Sequence, residues 1–478
     1  MIKGNLYING SFRESTSNTT FEVINPYTLA CIGNQATASD EDIQEALLGA
    51  TASFKSWKNT TAYERASLLR KLDKLMRDHE DALAETMTLE QGKPLAEALV
   101  EVRYAASYVT WYAEEGIRLT GDLLEPSAPR LQYQVKREPV GPVGIITPWN
   151  FPLAMFVRKM APALAAGCTV IVKPASQTPL TAVKFFELVH EAGFPPGVCQ
   201  LLTGSSSKIG NALMEDASIR KVSFTGSTEV GKTLMAQSAN TLKKLSLELG
   251  GHAPFIVFDD ANLDKAAQGA VDSKFRNCGQ VCIATNRVLV HQSVEEAFIE
   301  KLLPRVRALT FGDGFTNVDM GPIIDEKGFN KIASQVNDAL AKGAKCLCGG
   351  KGYRANNGKG GYIFEPTVLA NVTESMLIAS QETFGPILPI MTFETDEEAI
   401  AIANGTPFGL ASYFYSDSLS RSVEISDALE YGMVGVNTGR ISASQAPFGG
   451  VKMSGFGREG GSYGIEEYLV LKYVAIQY

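Results

Sequence analysis

Histidine is scarce in this chain of 478 residues, with four in all, and no Cys-x-x-Cys accompanies them, so a structural zinc site lacks ligands. The seven cysteines are odd in number and do not have the spacing of a disulfide framework, which points to free thiols in a reducing compartment. No run of lysine or arginine occurs, and 44 basic against 52 acidic residues give a net charge of −8. The basic footprint that a nucleic-acid partner requires is therefore missing. The first residues carry neither a charged apolar leader nor a cleavage site. The most apolar region, 143–172, is broken by Arg158, Lys159 and prolines, which disfavours a bilayer span. A soluble, cytoplasmic protein acting on a small molecule is expected, with no metal, nucleic acid or membrane.

The composition, 45% hydrophobic and 20% charged, is that of a globular protein, and the length exceeds the roughly 250–300 residues at which one core stops growing. Two or more domains follow. Residues 6–12 read as a hairpin turning at Asn9-Gly10. Ser39 caps a helix carrying Ile43, Ala46, Leu47, Ala50 and Phe54 at helical spacing. Leu68, Leu72, Leu75, Met76 and Leu83 predict a second apolar face, stopped by Gly92 and Pro94. From Gly141 onward short strands at 143–146, 169–172 and 221–224 alternate with helix-length segments, which argues for a mostly parallel sheet. A second series at 253–258, 287–290 and 435–437 predicts a second α/β domain. Residues 467–476 read as a strand seeking an edge.

Chemistry concentrates at Phe275-Arg276-Asn277-Cys278-Gly279-Gln280-Val281-Cys282, downstream of Leu247-Glu248-Leu249-Gly250-Gly251. A thiol can capture a carbonyl carbon, and a carboxylate can activate the water that hydrolyses the product. Each residue alone has a plainer reading: a small buried hydrophobe for Cys282, a cap or ion-pair residue for Glu248. Residues 226–233 also fit the P-loop pattern G-x-x-x-x-G-K-T, with Asp259-Asp260 as a metal-binding strand end, so a nucleotide triphosphatase is the rival from another class. That reading leaves Cys282, Glu248, Asn150 and Glu382 idle. Gly455, Gly457 and Gly460 fit G-x-G-x-x-G, but too little chain follows to build a βαβ unit, and a Gly-rich turn at an active-site rim is preferred.

Further motifs accompany the cysteine: Pro148-Trp149-Asn150-Phe151-Pro152, Lys173-Pro174-Ala175-Ser176, Phe224-Thr225-Gly226-Ser227, Glu382-Thr383-Phe384-Gly385-Pro386 and Pro447-Phe448-Gly449-Gly450. In that order and spacing, the chain resembles the aldehyde dehydrogenase superfamily along essentially its whole length. The resemblance implies an α/β fold with a Rossmann-like NAD(P)-binding domain (1–118 and 140–249) and an α/β catalytic domain (250–450). It adds a small β oligomerisation arm (119–139 with 451–478) that supports a homodimer or homotetramer.

The resemblance makes Cys282 the nucleophile that forms a thiohemiacetal, helped by nearby donors or positive charge. It assigns the oxyanion to the Asn150 amide and the Cys282 N–H, and hydrolysis of the thioester to Glu248. For the cofactor, NADP or NAD, it implies that Thr147, Pro148, Trp149 and Thr225 line the cleft. Helix-start donors around Gly226 and Ser227 would face the pyrophosphate, Lys173 the adenosine ribose, and Glu382 and Phe384 the nicotinamide ribose and ring. Ser176 stands where NAD-selective members have glutamate, which leaves a 2′-phosphate acceptable.

Arg158 and Arg276 would clamp the carboxylate of a short aldehyde, with Ser442 beside them and Phe151 and Phe448 as apolar walls, a pattern similar to succinate-semialdehyde dehydrogenases. The alternative is that each arginine belongs to an ion pair. Arg440 points to glutarate semialdehyde as runner-up substrate, or faces solvent. Ala284 replaces the second cysteine of a redox disulfide common in this subgroup, leaving Cys278 as the remaining candidate or as an isolated buried thiol.

Overall fold

The computed structural model describes residues 2–478. The apolar runs between 143 and 248 form the centre of an eight-stranded sheet, in the order Gly455–Phe456, Lys244–Glu248, Lys221–Thr225, Val143–Ile146, Val170–Lys173, Cys199–Leu201, Leu6–Ile8, Ser11–Arg13. The strands from Lys244–Glu248 to Cys199–Leu201 run parallel, and their near-continuous hydrophobicity matches burial on both faces. The chain starts at Val143–Ile146, moves outward through two strands, then crosses back to Lys221–Thr225 on the other side. Between those two neighbours the winding reverses, and in open α/β sheets the crevice at such a switch point takes the ligand.

The hairpin forms as expected, with Asn9 and Gly10 at φ 51° and 83°, and docks antiparallel on the sheet edge. Ser39 caps the helix Asp40–Trp57 in a reciprocal capping box with Asp42. The apolar face predicted over Leu68–Leu83 is instead divided between two helices, Ala62–Asp78 and Glu80–Gln91, because the chain breaks at His79. Leu69 carries the buried position next to a half-buried Leu68. Gly92, at φ 89°, ends the second helix, and Leu95–Glu115 follows.

The second series makes a seven-stranded sheet: Lys345–Cys348, Thr367–Ala370, Ile387–Phe393, Thr285–His291, Ala253–Val257, Ala411–Tyr415, Met433–Val436. All pairs are parallel except the first. The loops entering its central strands carry Gly250-Gly251, Cys282 and Glu382. These amino ends meet the carboxyl ends of the first sheet: Asn150 Nδ2 donates to Gln280 O at 2.9 Å, and Asn277 Nδ2 donates to Asn150 O at 2.9 Å.

The chain's last strand, Leu469–Gln477, pairs antiparallel along its whole length with Leu131–Pro139, which in turn pairs with Asp122–Leu124. The preceding short strand Gly455–Phe456, expected in the tail, joins the first sheet and sets Gly455 opposite Glu248. No helix among the described residues is long and apolar enough to cross a membrane.

Candidate active site

Asn277, Cys278 and Gly279 take left-handed conformations in succession, at φ 47°, 55° and 71°, in the turn after the helix Leu263–Lys274. Such angles cost non-glycine residues roughly 1–3 kcal/mol and persist only where surroundings enforce them. Here the Asn277 N–H donates to the Glu97 carboxylate at 2.9 Å and Gln91 Nε2 donates to Asn277 Oδ1 at 3.1 Å. A Cβ on Gly279 would lie 2.2 Å from Gly385 O, so no side chain fits there. The turn delivers Cys282 to the wall of a cavity of about 500 Å³.

The thiol is not activated at rest. Burial pushes the Cys282 pKa up to about 12; Arg158 opposes this, while Glu382 and Glu248 reinforce it. The expectation that local positive charge favours a thiolate is thus corrected for the resting site, where desolvation outweighs the arginines. Its backbone N–H makes no hydrogen bond with another described residue. The Asn150 amide has one hydrogen on Gln280 O and its second without a protein acceptor.

Glu248 ends its strand, is 2% exposed, and neither of its oxygens has a hydrogen-bond partner. Burial, then the nearby Glu459, raise its pKa well above the ordinary carboxylate value. A Cβ on Gly449 would come within 2.9 Å of its Oε1, which explains a glycine in Pro447-Phe448-Gly449-Gly450. Glu459 itself escaped the sequence reading. It lies in the Gly455–Gly460 turn, pairs its backbone with Phe448, and binds Arg158 and Lys159 of the helix Ala154–Ala166 as a buried triad. The only sequence signal was an acid inside that glycine-rich stretch.

The two arginines are not equivalent. Arg158 is 1% exposed, engaged by Glu459 and stacked 4.3 Å from the Phe448 ring centre, so it is not the free clamp expected, although its Nη2 has no acceptor. Arg276 has no ion pair among the described residues and lies 5.4 Å from the Phe151 ring centre. Both line the cavity with Cys282, Ser442, Phe151 and Phe448. Phe151 also carries Lys93 Nζ 4.1 Å from its ring centre, so both aromatic walls hold cations as well as apolar surface. Lys93 and Glu101 form a second buried pair that sequence reading missed, and Glu101 Oε1 accepts the N–H groups of Leu153 and Ala154. Arg440, at the cavity's exposed side, pairs with Asp272 at 3.3 Å.

At the switch-point crevice, Thr147, Lys173 and Thr225 stand at the carboxyl ends of their strands. The buried hydroxyls of Thr147 and Thr225 lack partners. Trp149, beside half-buried Pro148, meets Phe384 edge-on at 5.6 Å, and Glu382 Oε1 accepts the Gly251 N–H at 3.1 Å. Burial lowers the Lys173 pKa to about 8, and its ammonium donates to Ser206 Oγ at the start of the helix Ser206–Glu215. Ser176, half-buried, donates to Gly204 O at 3.2 Å. Fewer helix-start donors are free than expected: Gly226 N–H is bonded to Glu248 O, and Ser227 Oγ caps the Val230 N–H of the helix Thr228–Ser238. The N–H groups of Ser227 and Thr228 remain without a partner among the described residues. Orphaned buried hydroxyls and free helix-start donors fit a bound dinucleotide.

The P-loop reading fails on the same segment. Only Gly226 and Ser227 separate strand from helix, Gly231 packs inside the helix against Leu249, and Lys232 is exposed on its surface. Asp259 and Asp260 are held by Arg421.

Residues 12–474 match the model of the aldehyde dehydrogenase family. The chain belongs to the aldehyde dehydrogenase family. It is 49% identical over 470 residues to the NADP(+) succinate-semialdehyde dehydrogenase GabD of Escherichia coli (strain K12), covering 98% of this chain and 97% of the relative. It is 48% identical over 477 residues to a glutarate-semialdehyde dehydrogenase of Pseudomonas putida, covering 100% and 98%. A solved aldehyde dehydrogenase from Brucella melitensis biovar abortus 2308 superposes with a TM-score of 0.97 at 50% identity, covering 99% of this chain and 97% of that one. The α/β aldehyde dehydrogenase fold expected from the motifs is the fold of this neighbour.

Within this aldehyde dehydrogenase, Cys278 is buried, free and not joined to Cys282, as an isolated core thiol would be.

Proposed function

We propose that this aldehyde dehydrogenase oxidises a short aldehyde with a terminal carboxylate, foremost succinate semialdehyde, to its acid with NADP or NAD. The observation that carries the reading is an arginine without an ion pair, Arg276, sharing one cavity with Cys282. A guanidinium offers a carboxylate two parallel charge-assisted hydrogen bonds, and the orphaned Arg158 Nη2 adds a donor. Both relatives named above act on semialdehydes of this type.

In this reading the aldehyde carbon binds over Cys282, whose thiol gives up its proton to water in the cavity as it attacks. The Cys282 N–H and the second Asn150 amide hydrogen receive the oxyanion of the thiohemiacetal. A nicotinamide cofactor, when bound, supplies the hydride acceptor. Cys282 then carries a thioester, and Glu248, once deprotonated, takes a proton from the attacking water. Thr147, Pro148, Trp149, Thr225, Glu382 and Phe384 would shape the cofactor crevice, with the free N–H groups of Ser227 and Thr228 toward the pyrophosphate. Ser176 puts no carboxylate against a 2′-phosphate, and Lys173 adds a cation. The expected division into cofactor domain, catalytic domain and arm accompanies this reading. Exposed Leu123, Leu471 and Tyr473 on the arm favour subunit pairing, and seven free cysteines suit a reducing cytoplasm. Glutarate semialdehyde is the second reading, favoured by Arg440 at the outer end of the cavity.

The deciding experiment compares initial rates on succinate semialdehyde and butanal, with NADP and NAD. Succinate semialdehyde should win strongly, and Arg276→Ala should raise its KM about 10–100-fold, the equivalent of a charged hydrogen bond, while leaving butanal nearly unchanged. Equal losses on both aldehydes would remove the clamp.

A further inference from the structure

Cys346 and Cys348 have no task in the chemistry above. They form a Cys-x-Cys on Lys345–Cys348, the outermost strand of the second sheet, bonded on one side only. The register slips between them: Cys346 faces Leu369 and Cys348 faces Val368, so Leu347 is the extra residue of a β-bulge. On a regular strand, residues two apart have Cα atoms about 6.4–6.8 Å apart, at the upper limit of the roughly 4.4–6.8 Å that a disulfide spans. The bulge at Leu347 bends the strand and takes the pair off this regular spacing. Cys346 Sγ already folds back toward its neighbour, 3.3 Å from Cys348 O and 3.6 Å from Gly349 O. Arg307 Nη2 fixes the bulge by donating to Leu347 O at 3.2 Å, and Gly349 and Gly350, at φ 69° and 89°, form an adaptable turn after it. Cys346 is exposed and Cys348 half-buried, which suits one for first attack and the other for resolution.

We propose that Cys346 and Cys348 are a reversible dithiol–disulfide centre that exchanges with small-molecule disulfides of the glutathione type. The Cys346 thiolate attacks one sulfur of the small disulfide, forming a mixed disulfide and releasing one thiolate. The Cys348 thiolate then attacks Cys346 Sγ, closing the internal disulfide and releasing the second. Two protein thiols are oxidised and one small disulfide is reduced to two thiols, with both protons passing to the released thiolates. A bridge across one intervening residue is exposed and strained, and such bridges are the easily reduced, labile ones. Burial raises both thiols above their ordinary pKa, so exchange should quicken at mildly alkaline pH.

Trypsin cuts after Lys345 and Lys351, so one peptide, 346–351, holds both cysteines and no others. The full chain is equilibrated at about pH 8 in buffers of falling reduced-to-oxidised glutathione ratio, alkylated, digested and weighed. The peptide should lose two hydrogens and both alkylation sites together, and regain both sites in excess reduced glutathione. In Cys348→Ser, with no resolving thiol, Cys346 should instead retain a glutathionyl group. A wild-type peptide that keeps glutathione on Cys346, or stays doubly alkylated in the most oxidising buffer, would overturn the proposal.

Discussion

Glu101 and Glu248 are equally buried, each 2% exposed, yet the surrounding protein treats them in opposite ways. Glu101 Oε2 meets Lys93 Nζ at 2.5 Å, and Oε1 accepts two N–H groups that open the helix Ala154–Ala166. The Glu248 carboxyl accepts nothing from the described residues, and Glu459 adds a like charge nearby. A buried carboxylate supplied with a cation and donors has its lone pairs committed to the scaffold; one denied both keeps them available to something not part of the protein. The same contrast separates Arg158, committed to Glu459, from Arg276, committed to no carboxylate.

The sharpest way to break the contrast is at the reaction itself. Cys282→Ala should lower dehydrogenation by at least about a thousandfold while leaving dinucleotide binding, followed by fluorescence of the reduced cofactor, unchanged. Glu248→Gln should act later: one enzyme equivalent of reduced cofactor forms rapidly, and the steady rate falls about 10²–10⁴-fold as the thioester persists. The pH dependence has a definite sign. Glu248 must be ionised to act and its pKa is raised, so the wild-type steady rate should climb as pH rises above the ordinary carboxylate range, and Glu248→Gln should lose that limb. A variant that turns over without a burst and keeps the limb would make Glu248 as structural as Glu101.

Glu101 should respond in stability. Its replacement by Gln removes the ion-pair partner of the buried Lys93, a loss of about 3–5 kcal/mol measurable by urea unfolding. Adding Lys93→Met should recover part of that loss, since removing both charges is cheaper than stranding one. Glu248→Gln, with no partner to strand, should cost far less. Equal destabilisation by the two Gln variants would show that hydrogen-bond supply does not distinguish them.

What the sequence disclosed follows from how local each signal is. The Asn9-Gly10 turn, the Ser39 cap and the β-branched strands are fixed by near neighbours, and all were legible. The break at His79 carries no proline or glycine, and was missed. In the site, motif resemblance singled out Cys282, Asn150 and Glu248, but the burial that raises the pKa of the thiol and of the acid arises from packing between two sheets. Arg158 looked like Arg276 because an arginine's partner is invisible along the chain. Glu459 is 300 residues from Lys159 and meets it only because Gly455–Phe456 joins the first sheet.

The smallest expected effect lies in the cofactor crevice, where Ser176 and Lys173 repeat the contrast in milder form. Ser176 is half-buried and bonded only to Gly204 O, so a Glu there would face a 2′-phosphate across partly solvated space. Two unit charges about 4 Å apart interact by about 4 kcal/mol at an effective dielectric of 20, and solvent exposure reduces that to about 1–2 kcal/mol. Ser176→Glu should therefore raise the KM for NADP roughly tenfold and leave that for NAD unchanged or lower. Lys173 adds a pH signature to the same measurement. Its pKa is lowered to about 8, so the ammonium is present below that pH and lost above it. The wild-type KM for NADP should rise above about pH 8 more steeply than that for NAD, because only NADP carries the additional phosphate charge that the ammonium offsets. Parallel profiles for the two cofactors would place Lys173 with Glu101, as a residue that holds the fold rather than the ligand.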